Sequence, residues 1–227
     1  MTPKAIFGKD YVIFGEIVEI IKNIAHLYNK SIIYNKKESQ AIRRLKDELE
    51  KNDGGMAIKM PSRNDCEKLF QESLQEAGIL SRRIAKVMQI LLGVNKCQYA
   101  DIIKMYEDKF GLSSDEVDLL KQNQTTFDYL LALRGEFEHP KGEIVKNWLV
   151  INTEGDVIPA IFIYKSKRYI VNQYLTETAD FLFFLTEFLI ATGISYRMPG
   201  IKYGFNPNPK EGEFRWQPYM INKIIST

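Results

Sequence analysis

The fold is constrained most strongly by the spacing of apolar residues, which follows a helical repeat over the first half of the chain. In segment 11–28, apolar side chains recur every three or four residues, and polar side chains take the opposite face. A long stripe at about 62–92, ended by Gly93, and a shorter segment at 98–110 have the same spacing. A more charged segment at 37–51 completes the set. The sequence therefore predicts a mainly α protein built as a helical bundle.

One predicted helix carries an arginine on its apolar side. Residues Ser113–Glu116 look like a capping box that opens a helix, and a further helix is expected to begin near Thr125. That second helix contains Arg134 and should end near His139, because Pro140 disfavours helical geometry in the residue before it. A permanent cation on a packed face is costly unless it is paired. Arg134 therefore needs either a partner or a function.

The periodicity changes after Gly142, where β-branched and aromatic residues become frequent. Short turn sequences separate three such runs, which indicates a small antiparallel β-meander inserted at about 147–172. The three predicted strands are 148–152, 157–164 and 168–172. Helix is expected to resume from about Thr176 to Ala191, and its nearly uniform apolar surface suits the centre of a bundle.

Composition favours one globular domain. The chain has 227 residues, of which 45% are hydrophobic and 26% are charged, so it can bury a substantial core. We predict a single domain over 1–227, with a helical core at about 11–192 and an irregular aromatic arm at 195–227 that packs on the body or on a partner. The net charge of +2 excludes a protein that coats nucleic acid through bulk charge, but it allows a local basic site.

Glycines and cysteines give no sign of a cofactor or metal site. Gly78 is expected to kink or split the long 62–92 helix, and Gly111 to end the segment that follows it. No GxxxxGK or GxGxxG sequence follows a predicted strand, so we expect no nucleotide cofactor. Cys66 and Cys97 lie far apart without a CxxC partner, so we expect no metal site.

The N-terminal sequence and the most apolar run indicate the cellular compartment. The sequence MTPKAIFGKD lacks the layout of a signal peptide. The most apolar run, 181–194, contains Glu187 and is shorter than a bilayer span. We therefore expect a cytoplasmic protein that does not associate with a membrane.

The segment LALRGEFEHP, residues 131–140, resembles the signature of the HEPN superfamily. That signature pairs an arginine with a histidine four to six residues further on, at the end of an apolar helix. Here the pair is Arg134 and His139, with Gly-Glu-Phe-Glu between them, and Glu-His-Pro resembles the ending common in bacterial members. The helices on either side extend the resemblance loosely over about 11–192 and imply a HEPN-like helical bundle.

The resemblance also implies a function. Such proteins act as homodimers in which two Arg–His pairs form one metal-independent endoribonuclease site, leaving a cyclic phosphate and a 5′-hydroxyl. It implies Arg134 and His139 as the catalytic pair. Beside this pair we predict two supporting residues: Glu138, which would orient His139, and Lys141, which would contact phosphate. An RNA substrate, a toxin or phage-defence role and an antitoxin partner follow from the same analogy.

The residues themselves are suited to this chemistry. His139 lies near a helix C-terminus, whose dipole favours a protonated imidazole, and an imidazole that titrates near neutral pH can transfer protons. Arg134, held on a packed face, could offer a preorganised fork to phosphate oxygens.

Simpler interpretations remain open at this stage. Arg134 could pair with Glu138 four residues on, and His139 could cap the helix by bonding a terminal carbonyl. Gly135 stands where the family often has a polar residue, which favours a non-catalytic module that binds RNA, a nucleotide or a protein. A structural dimerisation bundle is a third alternative. His26, on the polar face of its helix, is interpreted as solvated.

Two further groups could contact RNA. The predicted turn holding Lys165, Lys167 and Arg168 also includes Tyr169, and such interleaved cations and aromatic rings could bind single-stranded RNA. An ordinary solvated turn is the alternative. The aromatic residues of the C-terminal arm could stack on bases or cover apolar surface of the bundle; they are Phe214, Trp216 and Tyr219.

Overall fold

The computed structural model describes residues 10–51, 64–95, 98–139, 144–147, 150–151, 156–197, 201–205, 210 and 216–220. Within these residues the chain is mainly helical, which confirms the predicted fold class. The five helices are α1 (Asp10–Lys51), α2 (Asn64–Leu92), α3 (Tyr99–Phe110), α4 (Asp115–Glu138) and α5 (Val171–Arg197). The strands are β1 (Ile144–Asn147), β2 (Val150–Ile151), β3 (Val157–Ile158), β4 (Ile161–Tyr164), β5 (Lys167–Ile170), β6 (Ile201–Phe205) and β7 (Trp216–Met220).

The β insert between α4 and α5 is antiparallel, as predicted. Its main sheet has the order β1-β4-β5, and β2 and β3 form a separate two-stranded pair. The two-residue turn between β4 and β5 consists of Lys165 and Ser166, with φ angles of 48° and 62°. Positive φ at both positions matches the twist of a tight hairpin, but it costs energy in residues other than glycine. The first strand begins at Ile144, earlier than the predicted start of the insert.

Helix α1 is a single helix, whereas the sequence predicted separate helices at 11–28 and 37–51. The intervening segment contains no proline or glycine that would stop a helix. Its buried positions also continue the helical spacing of the first part of the helix. They are Ser31 and Tyr34, which lie at helical spacing from the buried Leu27 before the segment and Glu38 after it.

Helix α4 also joins two predicted helices. It begins at Asp115, and the Ser114 hydroxyl accepts a hydrogen bond from the Val117 backbone N–H at 3.3 Å. The capping serine is therefore Ser114. No second helix begins near Thr125, because the buried residues continue at helical spacing through the polar stretch. These buried residues are Val117, Leu120, Phe127, Leu130 and Leu133.

Helix α5 begins at Val171, five residues before the predicted start. The predicted strand 168–172 accordingly ends at Ile170. The Val171 backbone N–H donates to the Ala160 carbonyl at 2.9 Å, so the first turn of the helix is bonded to the residue before β4. The apolar run at 181–194 thus belongs to a helix of 27 residues.

The expectation that the apolar segment is too short to span a bilayer concerned 181–194 alone, whereas the helix that contains this segment is longer. Among the described residues, α5 is the helix that is long and apolar enough to cross a membrane by length and composition. However, 56% of its most apolar window is buried in the structure. Core helices of bundles have the same character.

Contacts divide the chain into two compact units. The first comprises 1–22, 79–128 and 181–227. Within its described residues, the Tyr106 and Thr192 hydroxyls are hydrogen-bonded at 2.8 Å, and the Tyr99 and Phe127 rings stack with centroids 4.9 Å apart. The prediction of one domain over 1–227 stays a prediction.

The second unit comprises 23–78 and 129–180 and has an aromatic core. The buried Phe70 ring of α2 lies 5.0 Å from Phe137 of α4 and 5.2 Å from Phe162 of β4, measured between centroids. Tyr174 of α5 completes the group at 6.4 Å. This unit contains the residues of the predicted site.

The C-terminal arm was predicted to be irregular over 195–227, but α5 continues to Arg197 and two later segments form an antiparallel pair of strands. Strand β6 pairs with β7, and Ile201 lies opposite Met220. Both strands are rich in β-branched and aromatic residues, which favour extended structure, while the Asn- and Pro-rich sequence between them favours a turn. The side chains predicted to stack on bases, at Phe214, Trp216 and Tyr219, lie outside the described side chains.

Candidate functional site

Arg134 lies in the last turns of α4 and makes an ion pair within that helix. Its Nη2 donates to Glu138 Oε1 at 2.7 Å, and the two side chains are 23% and 29% exposed. This is the pairing that the simpler interpretation proposed. Glu138 Oε1 is therefore bonded to the guanidinium, and the predicted role of Glu138 in orienting His139 stays a prediction.

The Arg134 side chain crosses α2 at Gly78. A Cβ atom placed on Gly78 would lie 2.5 Å from Arg134 Nε and 2.9 Å from Cζ, distances that real Cβ atoms do not show. Gly78 does not split α2, as had been expected, and the helix is continuous through it. The glycine instead leaves a recess that the arginine fills.

The guanidinium of Arg134 is hydrogen-bonded at Nη2 but not at Nε. Arg134 Nε is buried and has no hydrogen-bond partner among the described residues. Arg134 also lines a small cavity of about 40 Å³. The cavity is lined by Gln71, Leu74, Gln75, Arg134, Phe137 and Glu138. This volume suits a few water molecules or the oxygens of a small anion, and is far below the volume of a nucleobase site.

His139 follows the last helical residue of α4 and is exposed. Its backbone N–H donates to the Gly135 carbonyl at 2.9 Å, so the backbone keeps the helical pattern to this point. In the described part of the chain its imidazole has no hydrogen bond or ion pair, and the proposed cap of a terminal carbonyl is not formed.

Helical geometry separates the two motif side chains within one chain. Five residues of α-helix rotate the side-chain direction by about 140°. Arg134 turns toward α2, whereas His139 lies at the exposed end of α4. Lys141, the other predicted supporting residue, lies outside the described residues.

A buried carboxylate, Glu38, was missed by sequence reasoning. Glu38 is 2% exposed, and its two oxygens accept hydrogen bonds from the Ala160 backbone N–H at 2.9 Å and from Asn172 Nδ2 at 2.8 Å. Burial raises the pKa of the Glu38 carboxyl, and these two hydrogen bonds act in the opposite direction. The helical spacing in α1 could have revealed that Glu38 is buried, because Glu38 follows the buried Tyr34 by four residues and so lies on the same face.

The turn between β4 and β5 exposes cations but not rings. Lys165, Lys167 and Arg168 are all exposed. Tyr169 stacks on Phe162 with centroids 4.9 Å apart and an interplanar angle of 15°. Lys165 Nζ lies 5.3 Å from the centroid of the buried Tyr164 ring. Phosphate contact through the cations is geometrically open, whereas the Tyr169 face is already occupied by an internal ring.

Comparison with protein families, curated proteins and solved structures returned no match. Among the described residues, no three His, Cys, Asp or Glu side chains are grouped so that they could hold a metal ion.

Proposed function

We propose that the chain is a HEPN-type, metal-independent endoribonuclease that acts as a homodimer. The observation that carries this proposal is the state of Arg134: the residue lines a small cavity and packs against Gly78, and its buried Nε has no hydrogen-bond partner among the described residues. A buried N–H without a partner is costly, and a phosphate oxygen is the kind of acceptor that would satisfy it. His139 supplies an exposed imidazole at the end of the same helix.

The chemistry divides between the two side chains. The imidazole of His139 removes the proton of the ribose 2′-hydroxyl, whose oxygen then bonds to the phosphorus. The bond from phosphorus to the 5′-oxygen breaks, and the leaving oxygen takes a proton from the imidazolium. The guanidinium of Arg134 stabilises the charge that develops on the phosphate. Because the two groups diverge within a chain, Arg134 of one chain and His139 of the other serve the same linkage, and the products are a 2′,3′-cyclic phosphate and a 5′-hydroxyl.

The test is RNA cleavage in the presence of EDTA. The wild-type protein should release products with cyclic-phosphate ends, and His139→Ala should abolish cleavage while leaving the fold and RNA binding near normal. His26→Ala is the matched control, since His26 is the other histidine of the chain, 66% exposed and 4.0 Å from Glu76. Equal loss of cleavage in both histidine variants would contradict the assignment.

A second candidate is a non-catalytic module that binds RNA, a nucleotide or a protein. The ion pair between Arg134 and Glu138 favours it, because a guanidinium already bonded to a carboxylate is less available to a phosphate. In this case wild type and His139→Ala bind RNA equally and neither cleaves it. An intact dimer without RNA affinity would instead support a purely structural role.

The cellular role proposed with the nuclease rests on family analogy alone. A toxin or phage-defence effector, cytoplasmic and silenced by an antitoxin protein, is the corresponding setting. The test is whether expression of the chain arrests growth and whether co-expression of a candidate antitoxin protein relieves the arrest.

A further inference from the structure

We propose that Gly78 is a positioning residue for Arg134: the missing side chain at Gly78 sets the direction in which the guanidinium points. This proposal rests on the proposed function for its consequence in catalysis, but its structural part can be tested without any activity. Neither the Arg–His spacing nor the apolar pattern of α2 assigns such a role to Gly78.

The geometry supports the proposal through a contrast between glycines. A Cβ at Gly78 would collide with Nε and Cζ of Arg134, and both atoms belong to the part of the side chain that carries the charge. At Gly15 in α1 and Gly135 in α4, an added Cβ would have no such heavy atom within 4 Å. A helix-interior glycine lowers stability relative to alanine, and at Gly78 the close approach of Arg134 offsets that cost.

Two contacts together fix the guanidinium. The recess at Gly78 receives the Cδ-to-Cζ part of the Arg134 side chain, and Glu138 Oε1 holds the Nη2 end. Arg134 also lines the cavity. Since the colliding atoms lie at the end of a flexible side chain, a methyl group at position 78 should move the guanidinium and leave the backbone of α2 in place.

The experiment compares Gly78→Ala with Gly15→Ala, each made in the wild-type and in the Arg134→Ala background. Thermal midpoints are measured for all variants, and RNA cleavage for those that retain Arg134. Gly15→Ala should raise the midpoint equally in both backgrounds. Gly78→Ala should raise it only in the Arg134→Ala background, because the collision is then absent. If Gly78→Ala alone does not fold, recovery of the folded protein by Arg134→Ala supports the proposal.

Cleavage adds a measurement that a merely structural role would not change. Gly78→Ala should lower kcat/KM by about 100-fold, the loss expected for a misplaced group of this kind. The pH profile of the remaining activity should stay unchanged, because His139 is untouched. Gly15→Ala should cleave at the wild-type rate.

Two outcomes separate the proposal from the function on which it rests. An equal rise in midpoint for Gly78→Ala in both backgrounds overturns the positioning role, whatever the activity. If the midpoints depend on Arg134 as expected but the wild-type protein cleaves no RNA, the contact between Gly78 and Arg134 is supported and the proposed nuclease function fails.

Discussion

Replacement of Glu38 gives the sharpest test of the packing of the second unit. This carboxyl is almost fully buried, with a described hydrogen bond to each oxygen, from the Ala160 backbone N–H and from Asn172. Glu38→Ala removes both acceptors at once, and Ala160 is itself only 2% exposed. Glu38→Gln keeps the volume and removes the charge.

The two variants should differ widely in stability. Each donor left without a partner costs roughly 1–3 kcal/mol, and the lost volume adds to this, so Glu38→Ala should lower the free energy of unfolding by about 3–5 kcal/mol. In Glu38→Gln, the new amide oxygen can accept from the Ala160 N–H. The Asn172 amide can turn so that its oxygen accepts from the new NH₂ group. We expect this variant to stay within about 1 kcal/mol of the wild type.

The pH dependence follows from the raised pKa of Glu38. Between the ordinary pKa of an unfolded glutamate, 4.5, and the higher folded value, the native chain keeps a proton that the unfolded chain has released. The contribution of Glu38 to stability is therefore largest below the unfolded value and falls as the pH rises through the folded value. Gln at this position has no such dependence, so Glu38→Gln should gain on the wild type as the pH rises.

The assay is equilibrium urea unfolding of both variants and the wild type at about pH 5 and about pH 8. A Glu38→Ala variant within about 1 kcal/mol of the wild type would refute the claim that the hydrogen bonds of this carboxyl support the fold. A difference between Glu38→Gln and the wild type that does not change with pH would refute the raised pKa.

Three smaller substitutions test other features by the same unfolding measurement. Ser166→Gly should raise the free energy of unfolding by about 1 kcal/mol, because glycine adopts the φ of 62° without the cost of a side chain; no change would mean that the turn is unstrained. Gly111→Ala should lower it by about 1–2 kcal/mol, since the φ of 96° suits glycine alone, and a gain would contradict this conformation. Thr192→Val should lower it by about 1–2 kcal/mol through loss of the buried 2.8 Å bond to the Tyr106 hydroxyl, and equal stability would show that the bond contributes little.

The class of fold could be predicted from the sequence because it depends on local periodicity. The spacing of apolar residues identified the helical segments, and Gly93 and Gly111 stand at the ends of α2 and α3 with positive φ. The prediction was wrong where it divided one continuous helix into two. Helices α1 and α4 run through stretches that look polar, because tertiary burial of residues within or on either side of each stretch overrides weak local preference.

The geometry around Arg134 could be predicted only in part from the sequence. The sequence pointed to Arg134, and its pairing with Glu138 was one of two open interpretations. The recess at Gly78 could not be foreseen, because a close approach between helices depends on how α2 and α4 pack and leaves no spacing rule in the chain. Glu38 was hidden for a related reason, since a charged residue in a charged segment is normally solvated.

The aromatic core around Phe70 has a consequence for the folding kinetics of the second unit. Its rings come from α2, the end of α4, β4 and α5, which are far apart along the chain. Closing such long loops costs chain entropy before any contact compensates for it, whereas the helices themselves form locally and fast. Refolding should therefore be limited by the meeting of these rings. The conservative variant Phe70→Leu tests this through its separate effects on the folding and unfolding rates. These effects show whether the ring contacts are formed before or after the folding transition state.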